Sequence, residues 1–278
     1  MSICPDAPHM DPESYAYTLT LSRSRWAWEF LRRNPDFLAD AAREPPGSVS
    51  IRTACPRTLL VKPRTDQVAA DRWGLAFFPD PAATGYDALA FWSGTRFPRQ
   101  VQLQVSPAMP GEMCEIQDKT RALCDIVHLV DSAGREHLLV KGNGHVVQVR
   151  CTGLSLLTND PVRLGFLIHG VETFQQRVSL LADAQRVYGM PPQTQPAWTR
   201  SRLALRNALI AWDCQMAGLS LRATASVIYG EFRSREAWAG PSRAMKDEMR
   251  RARKRAHRLV HGGYRQLLAR APSGRRTL

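Results

Sequence analysis

A chain of 278 residues with 44% hydrophobic content is long enough for two domains and too apolar for global disorder, and no apolar run approaches the roughly 20 residues needed to span a bilayer as a helix. The net charge is +13, and all of it is local: residues 200–278 hold 18 Lys and Arg against 5 Asp and Glu, while the first 199 residues balance. Such an excess at one end is the electrostatic footprint of a polyanion partner, usually nucleic acid and sometimes an anionic membrane.

The start, MSICPDAPHMDPESY, is acidic and Pro-rich and lacks the basic and apolar regions of a secretory signal, so a cytoplasmic location is expected. Residues 1–47 predict a compact helical segment. Ser22 or Ser24 can cap a helix through RSRWAWEFLRR, whose Trp26 and Phe30 share a face. Asn34-Pro35 ends it, and Pro35 opens a second short helix, PDFLADAARE. Glu44-Pro45-Pro46-Gly47-Ser48 closes the unit.

Residues 48–189 predict a mixed, β-rich region. TLLVK and VQLQV are strand candidates, and DIVHLVD-SAGRE-HLLVKG is a hairpin with Gly134 in its turn. GHVVQVRCTG adds a strand, opened by the Gly142-Asn143-Gly144 turn. The run from Asp160 to Gly189 is expected to be helical. Residues 190–197 are a linker, since the three prolines of MPPQTQP cannot continue a helix.

Residues 198–278 predict an all-α helix-turn-helix domain, making the whole chain α+β. Leu205, Leu209, Trp212 and Met216 form one apolar stripe on a first helix ended by Gly218. Ser220 caps a second, LRATASVIY, ended by Gly230. After a connection, EFRSREAWAG, a third helix is expected to start at Pro241 and Ser242 and to run to Gly262-Gly263. Met245, Met249, Ala252, Ala256, Leu259 and Val260 make its apolar face. A helix packed by one face and basic on the other suits a major groove. Ser242, Arg243, Lys246 and Asp247 in its first turn are the candidates for base edges, because that end of a reading helix meets the bases. Arg250, Arg251, Arg253, Lys254 and Arg258 are the candidates for phosphates, joined by Arg233 and Arg235 from the connection. The competing reading is a solvated basic face without a partner. Gly262-Gly263-Tyr264 turns the chain into a closing helix, YRQLLAR, with Tyr264 in the core.

Two stretches, LALRNALIAWDCQMAGLSLRATASVIYG and RAHRLVHGGYRQLLAR, resemble a bacterial helix-turn-helix regulator family, long a domain of unknown function, found on integrative and conjugative elements. SYAYTLTLSRSRWAWEFLRRNPDF resembles the short N-terminal domain that often precedes it. The resemblance implies a transcriptional regulator, in some relatives an activator of excision or transfer genes. Double-stranded DNA is the expected partner, with RNA polymerase or an inhibitory regulator as further partners, and a homodimer reading paired half-sites is expected.

No cofactor, metal site or catalytic residue is expected. The six cysteines, Cys4, Cys55, Cys114, Cys124, Cys151 and Cys214, form no Cys-x-x-Cys pair. The scattered His128, His137, His145 and His169 are read as strand or surface residues, and Trp26, Trp28, Trp73 and Trp92 as core. His257, His261 and Tyr264 lie too close together for a tyrosine recombinase, and Lys141-Gly142-Asn143-Gly144-His145 lacks the phosphate-loop spacing. An interaction module that sequesters another regulator, and a replication or partition protein, are the alternatives.

Overall fold

The computed structural model describes residues 11–45, 47–65, 67–98, 100–109, 124–158, 160–168, 174–188 and 196–269. Most of the linker (190–195), Cys4, Cys114 and His169 lie outside the described residues.

A 3-10 helix (Pro12–Thr20) leads into α1 (Arg23–Leu31) and α2 (Pro35–Ala41). Ser22 holds the cap position of α1, yet its hydroxyl meets Ser24 Oγ at 3.1 Å rather than a backbone N–H. Every residue from Ser24 to Leu31 is buried, so α1 has no solvent face and must be enclosed on all sides. Even Arg25 is inside, donating to the Ala88 and Ala90 carbonyls at 3.2 and 3.0 Å. Burial lowers its pKa to about 9. Glu29 is met there by Arg32 at 2.8 Å and Arg33 at 2.6 Å. Burial alone would raise its carboxyl pKa, but the two guanidinium charges outweigh it and the net shift is downward. Asn34 caps α2, its side-chain oxygen accepting from Phe37 N–H at 3.0 Å while its amide reaches the Val260 carbonyl at 2.9 Å.

The middle is a seven-stranded mixed sheet in the order β1-β2-β4-β5-β6-β3-β7. Its strands are β1 (Val49–Cys55), β2 (Thr58–Pro63), β3 (Val101–Pro107), β4 (Asp125–Val130), β5 (Glu136–Gly142), β6 (His145–Gly153) and β7 (Val162–Phe166). β2 pairs with β4, and β3 with β6, in parallel; the other pairs are antiparallel. The β5–β6 turn has Asn143 at φ 51° and Gly144 at φ 73°, the two positive angles of a tight hairpin turn. One face carries Val101, Leu103, Val105, Leu138, Val140 and Val149 and is covered by α4 (Phe174–Tyr188) through Ala184 and Val187. The other, with Val61, Val127, Leu129 and Leu139, is covered by Phe77 and Phe91 of the segment that follows the short α3 (Val68–Asp71).

β1 has no counterpart among the strand candidates named from the sequence, and one expectation in this region is corrected. The Asp160–Gly189 run opens with β7, an edge strand, and its helix starts only at Phe174. Val162 is buried and Leu164 half-buried while Arg163 and Gly165 are exposed, the alternation of a strand and not of a helix.

The C-terminal part holds α5 (Arg200–Met216), α6 (Leu221–Tyr229), α7 (Glu231–Ala239), α8 (Ala244–Arg258) and α9 (Arg265–Ala269). Leu209 and Trp212 are buried as the stripe requires, but Met216 is 60% exposed at the helix end. These helices do not form a separate core. Trp26, Phe30 and Leu31 of α1 belong to the same buried cluster as Leu209, Ile210, Met249, Val260 and Tyr264. The sequence boundaries at 47 and 198 therefore cut through one core, because the all-round burial of α1 demands a second wall and the C-terminal helices supply it. Trp92 sits at the junction, exchanging hydrogen bonds with Gln148 of β6 and lying 5.9 Å from the Tyr264 ring.

Candidate nucleic-acid interface

The basic region is built on a locally well-capped frame. Thr199 Oγ1 accepts from Arg202 N–H at 3.3 Å to start α5, and Ser220 Oγ accepts from Ala223 N–H at 3.1 Å to start α6. The α5–α6 turn passes through Gly218 at φ 74°. Gly230, at φ 87° and ψ 153°, ends α6 and directly precedes α7. That backbone angle strains any residue with a Cβ.

α7 replaces the connection expected at 231–240. Its inward stripe is Ser234, Ala237 and Trp238; Ser234 is 1% exposed and shares a 2.6 Å hydrogen bond with Ser226 of α6. The remaining residues of α7 are exposed, including Arg233 and Arg235. Arg235 is paired with Glu231 one turn earlier, and Arg233 lies 5.2 Å over the Tyr229 ring. The Tyr229 hydroxyl accepts from Asn207 at 3.2 Å and donates to Glu248. Burial first, then the Glu248 carboxylate, pushes its pKa well above the ordinary tyrosine value.

α8 begins at Ala244, two residues later than expected, with Ser242 Oγ accepting from Ala244 N–H at 3.2 Å. Met249, Ala252 and Ala256 are buried against α5 and α6, as the sequence pattern requires. Of the four residues expected to read bases, Ser242 and Arg243 are exposed and precede the helix. Lys246 is half-buried, its ammonium 5.5 Å over the Trp238 ring, and Asp247 holds Arg250 at 3.0 Å. Of the phosphate candidates, Arg251, Lys254 and Arg258 are exposed and form no ion pair among the described residues, as is the neighbouring Arg255. Arg253 departs from the expectation. It is turned inward, donating to the Leu219 carbonyl at 2.5 Å with its Nε buried, and so ties α8 to the α5–α6 turn.

Arg251, Arg255 and Arg258, with Lys254, thus form an uncompensated cationic ridge on the solvent side of α8. Both acids of the helix are engaged elsewhere, Asp247 with Arg250 and Glu248 with Tyr229. A ridge of exposed cations without ion-pair partners is suited to a row of phosphates. The His257 and His261 rings lie 4.4 Å apart, tilted to one another, beside Trp212, and Tyr264 is fully buried, donating to the Trp73 carbonyl at 3.0 Å. Tyr264 is a core residue. Cys124, Cys151 and Cys214 are buried, and among the described residues no three acidic, His or Cys side chains are placed to hold a metal ion.

Sequence reasoning missed α7 and with it Phe232, which is 84% exposed. The available signals were the Ser234/Trp238 spacing and the Glu231/Arg235 pair, both at i, i+4.

Residues 167–269 match a family model described as T6SS, Transcription factor, DNA binding domain, of the RovC type. Residues 9–78 match one described as Proteobacterial transcriptional regulator-like domain. No curated protein matches the chain. The first match contains α4 to α9 and therefore the whole basic ridge; the second runs past residue 47 through β1, β2 and α3. The two matches support a DNA-binding transcriptional regulator.

Proposed function

We propose that the protein is a sequence-specific, cytoplasmic transcriptional activator that grips duplex DNA through a helix-turn-helix unit in its C-terminal region and acts by binding, without catalysis. The carrying observation is the unpaired basic ridge of α8, lying inside the region similar to a transcription-factor DNA-binding domain. In this reading Arg251, Arg255 and Arg258, with Lys254, neutralise phosphates. Arg243, at the entrance to α8, contacts the duplex near the bases. The protein works as a homodimer on paired half-sites. Excision and transfer genes of a mobile element are the targets implied by the resemblance of its helices; T6SS genes are the alternative named by the matched domain.

The test is a binding selection with the full chain against a pool of random duplexes at moderate salt, followed by sequencing of the bound fraction. An enriched palindrome or repeat establishes sequence-specific regulation and gives the half-site spacing. Binding without enrichment, lost steeply with salt, reduces the C-terminal region to an electrostatic anchor. The second reading, a module that sequesters another regulator, is favoured by the exposed apolar side chains Phe166, Ile168, Phe174 and Val178 around β7 and α4. Size-exclusion of the full chain with and without duplex separates the two.

A further inference from the structure

Phe232 is the most exposed large apolar side chain among the described residues, at 84%. It contributes nothing to the core, since α7 is held to α6 and α8 by Ser234, Ala237 and Trp238 on the opposite side. At 100° per residue Phe232, Glu236 and Ala239 share the outward face, flanked by Arg233 and Arg235. Arg235 is engaged by Glu231, so the apolar ring stands beside one cation without an ion pair, Arg233, and this combination fits a surface that is anionic at its margin and offers an apolar group at its centre. The major groove is such a surface, with phosphates along its walls and the thymine C5-methyl on its floor.

We propose that α7 is the base-reading helix, with Phe232 against a thymine methyl group in the major groove and Arg233 beside it on a base edge. This rests on the DNA-binding reading above and departs from the expectation that the first turn of α8 reads. An α-helix with its side chains is about 10–12 Å across, which fits a groove about 12 Å wide, and the nine residues of α7 give about 13 Å of helix to lay along it. Phe232 and Arg233 stand in its first turn, the part of a reading helix that meets bases. Arg233 is pre-oriented by the Tyr229 ring, itself pinned by Asn207 and Glu248, and its guanidinium has no hydrogen-bond acceptor among the described residues. A side chain already held in one orientation loses less freedom on binding. In the first turn of α8, by contrast, Lys246 is half-buried where Arg233 is exposed, and Asp247 is paired with Arg250. The ridge on α8 then serves the phosphates flanking the groove that α7 enters.

The test uses the full chain, wild type, Phe232→Ala and Arg233→Ala, in the selection from random duplexes, and then on the selected duplex made with thymine or with uracil, which lacks only the methyl group. The expected result is that uracil weakens wild-type binding about fourfold at one position, the worth of one buried methyl, while Phe232→Ala binds both duplexes alike. Arg233→Ala is expected to lose enrichment at an adjoining base pair. Circular dichroism melts of both variants should coincide with the wild type, because neither side chain is in the core. If uracil weakens Phe232→Ala as much as wild type, or if both variants enrich the wild-type sequence unchanged, α7 does not read bases and the assignment is overturned while sequence-specific binding stands. If the wild type enriches no sequence, both readings fall. If Phe232→Ala turns a DNA-free dimer into a monomer, the ring packs against a second copy of the chain and the assignment is overturned.

Discussion

Asp213 is the residue whose loss best tests the union of the two ends of the chain. Its carboxylate receives Arg33 through both nitrogens of one fork, Nε to Oδ1 at 2.7 Å and Nη2 to Oδ2 at 2.8 Å, and the Tyr15 hydroxyl at 2.7 Å. Arg33 is 13% exposed and Asp213 21%. Burial opposes the Arg33 charge, yet Asp213 and Glu29 outweigh it and its pKa rises above the ordinary arginine value. Removing one member of a buried pair costs about 3–5 kcal/mol. Arg33 keeps Glu29 at 2.6 Å and Asp213 is a fifth exposed, so Asp213→Ala is placed at about 2–3 kcal/mol. At about 2–4 °C per kcal/mol for a chain of this size, Tm falls by about 4–12 °C. The assay is thermal unfolding of the full chain by calorimetry and circular dichroism, with Arg33→Ala and the double variant completing a cycle. A coupling of at least about 1 kcal/mol is expected, since the groups are in direct contact. Additive losses, or two separate transitions of which Asp213→Ala moves only one, would refute the claim that residues 12–41 and 200–269 fold as one unit.

The other expectations concern charge, pH and the core. Arg251→Ala and Lys254→Ala should each lower the slope of log binding constant against log salt by about 0.9, one phosphate apiece. Arg253→Ala should leave that slope unchanged and lower Tm instead, because its contact is the Leu219 carbonyl. Tyr264→Phe removes the hydrogen bond to Trp73 and should cost about 1 kcal/mol in a urea melt. The Glu29 carboxyl titrates below its ordinary value in the folded chain, so its stabilisation is present above about pH 4.5 and lost as pH falls through the lower folded value; Glu29→Gln should flatten that acid limb of Tm against pH. Burial and the nearby Arg25 lower the Lys141 pKa from 10.5 to about 8. The folded chain then binds fewer protons than the unfolded chain between those values, and this group makes stability rise with pH there. Lys141→Met should abolish the rise.

What the sequence disclosed is the local chemistry. Ser220 and Asn34 announce caps, Gly218 and Gly144 announce turns, and the 3.6-residue spacing of Met249, Ala252 and Ala256 announces the buried face of α8. α7 was hidden because Glu231, Arg233, Arg235 and Glu236 give it no apolar period, and what holds it is a polar contact between Ser226 and Ser234 together with one tryptophan. β7 was hidden by its position ahead of a genuine helix in a run without a break. The inward turn of Arg253 was hidden because a guanidinium looks the same in sequence whether it faces a carbonyl or water. The shared core was least accessible of all, since its hydrogen bonds join residues such as Asn34 and Val260, 226 positions apart.

The pairing of α1 with the C-terminal helices also sets an order of events during synthesis. Arg33 and Asp213 are separated by 180 residues, so at about 5–20 residues per second the ribosome needs about 10–35 s to deliver the second after the first. Throughout that interval Trp26, Phe30 and Leu31 lack the C-terminal part of their buried cluster. A chain stopped before α8 never acquires it. Truncated products that keep the N-terminal unit but lack the C-terminal helices would leave these side chains without those neighbours, exposed apolar surface of the kind that makes incomplete chains prone to aggregate.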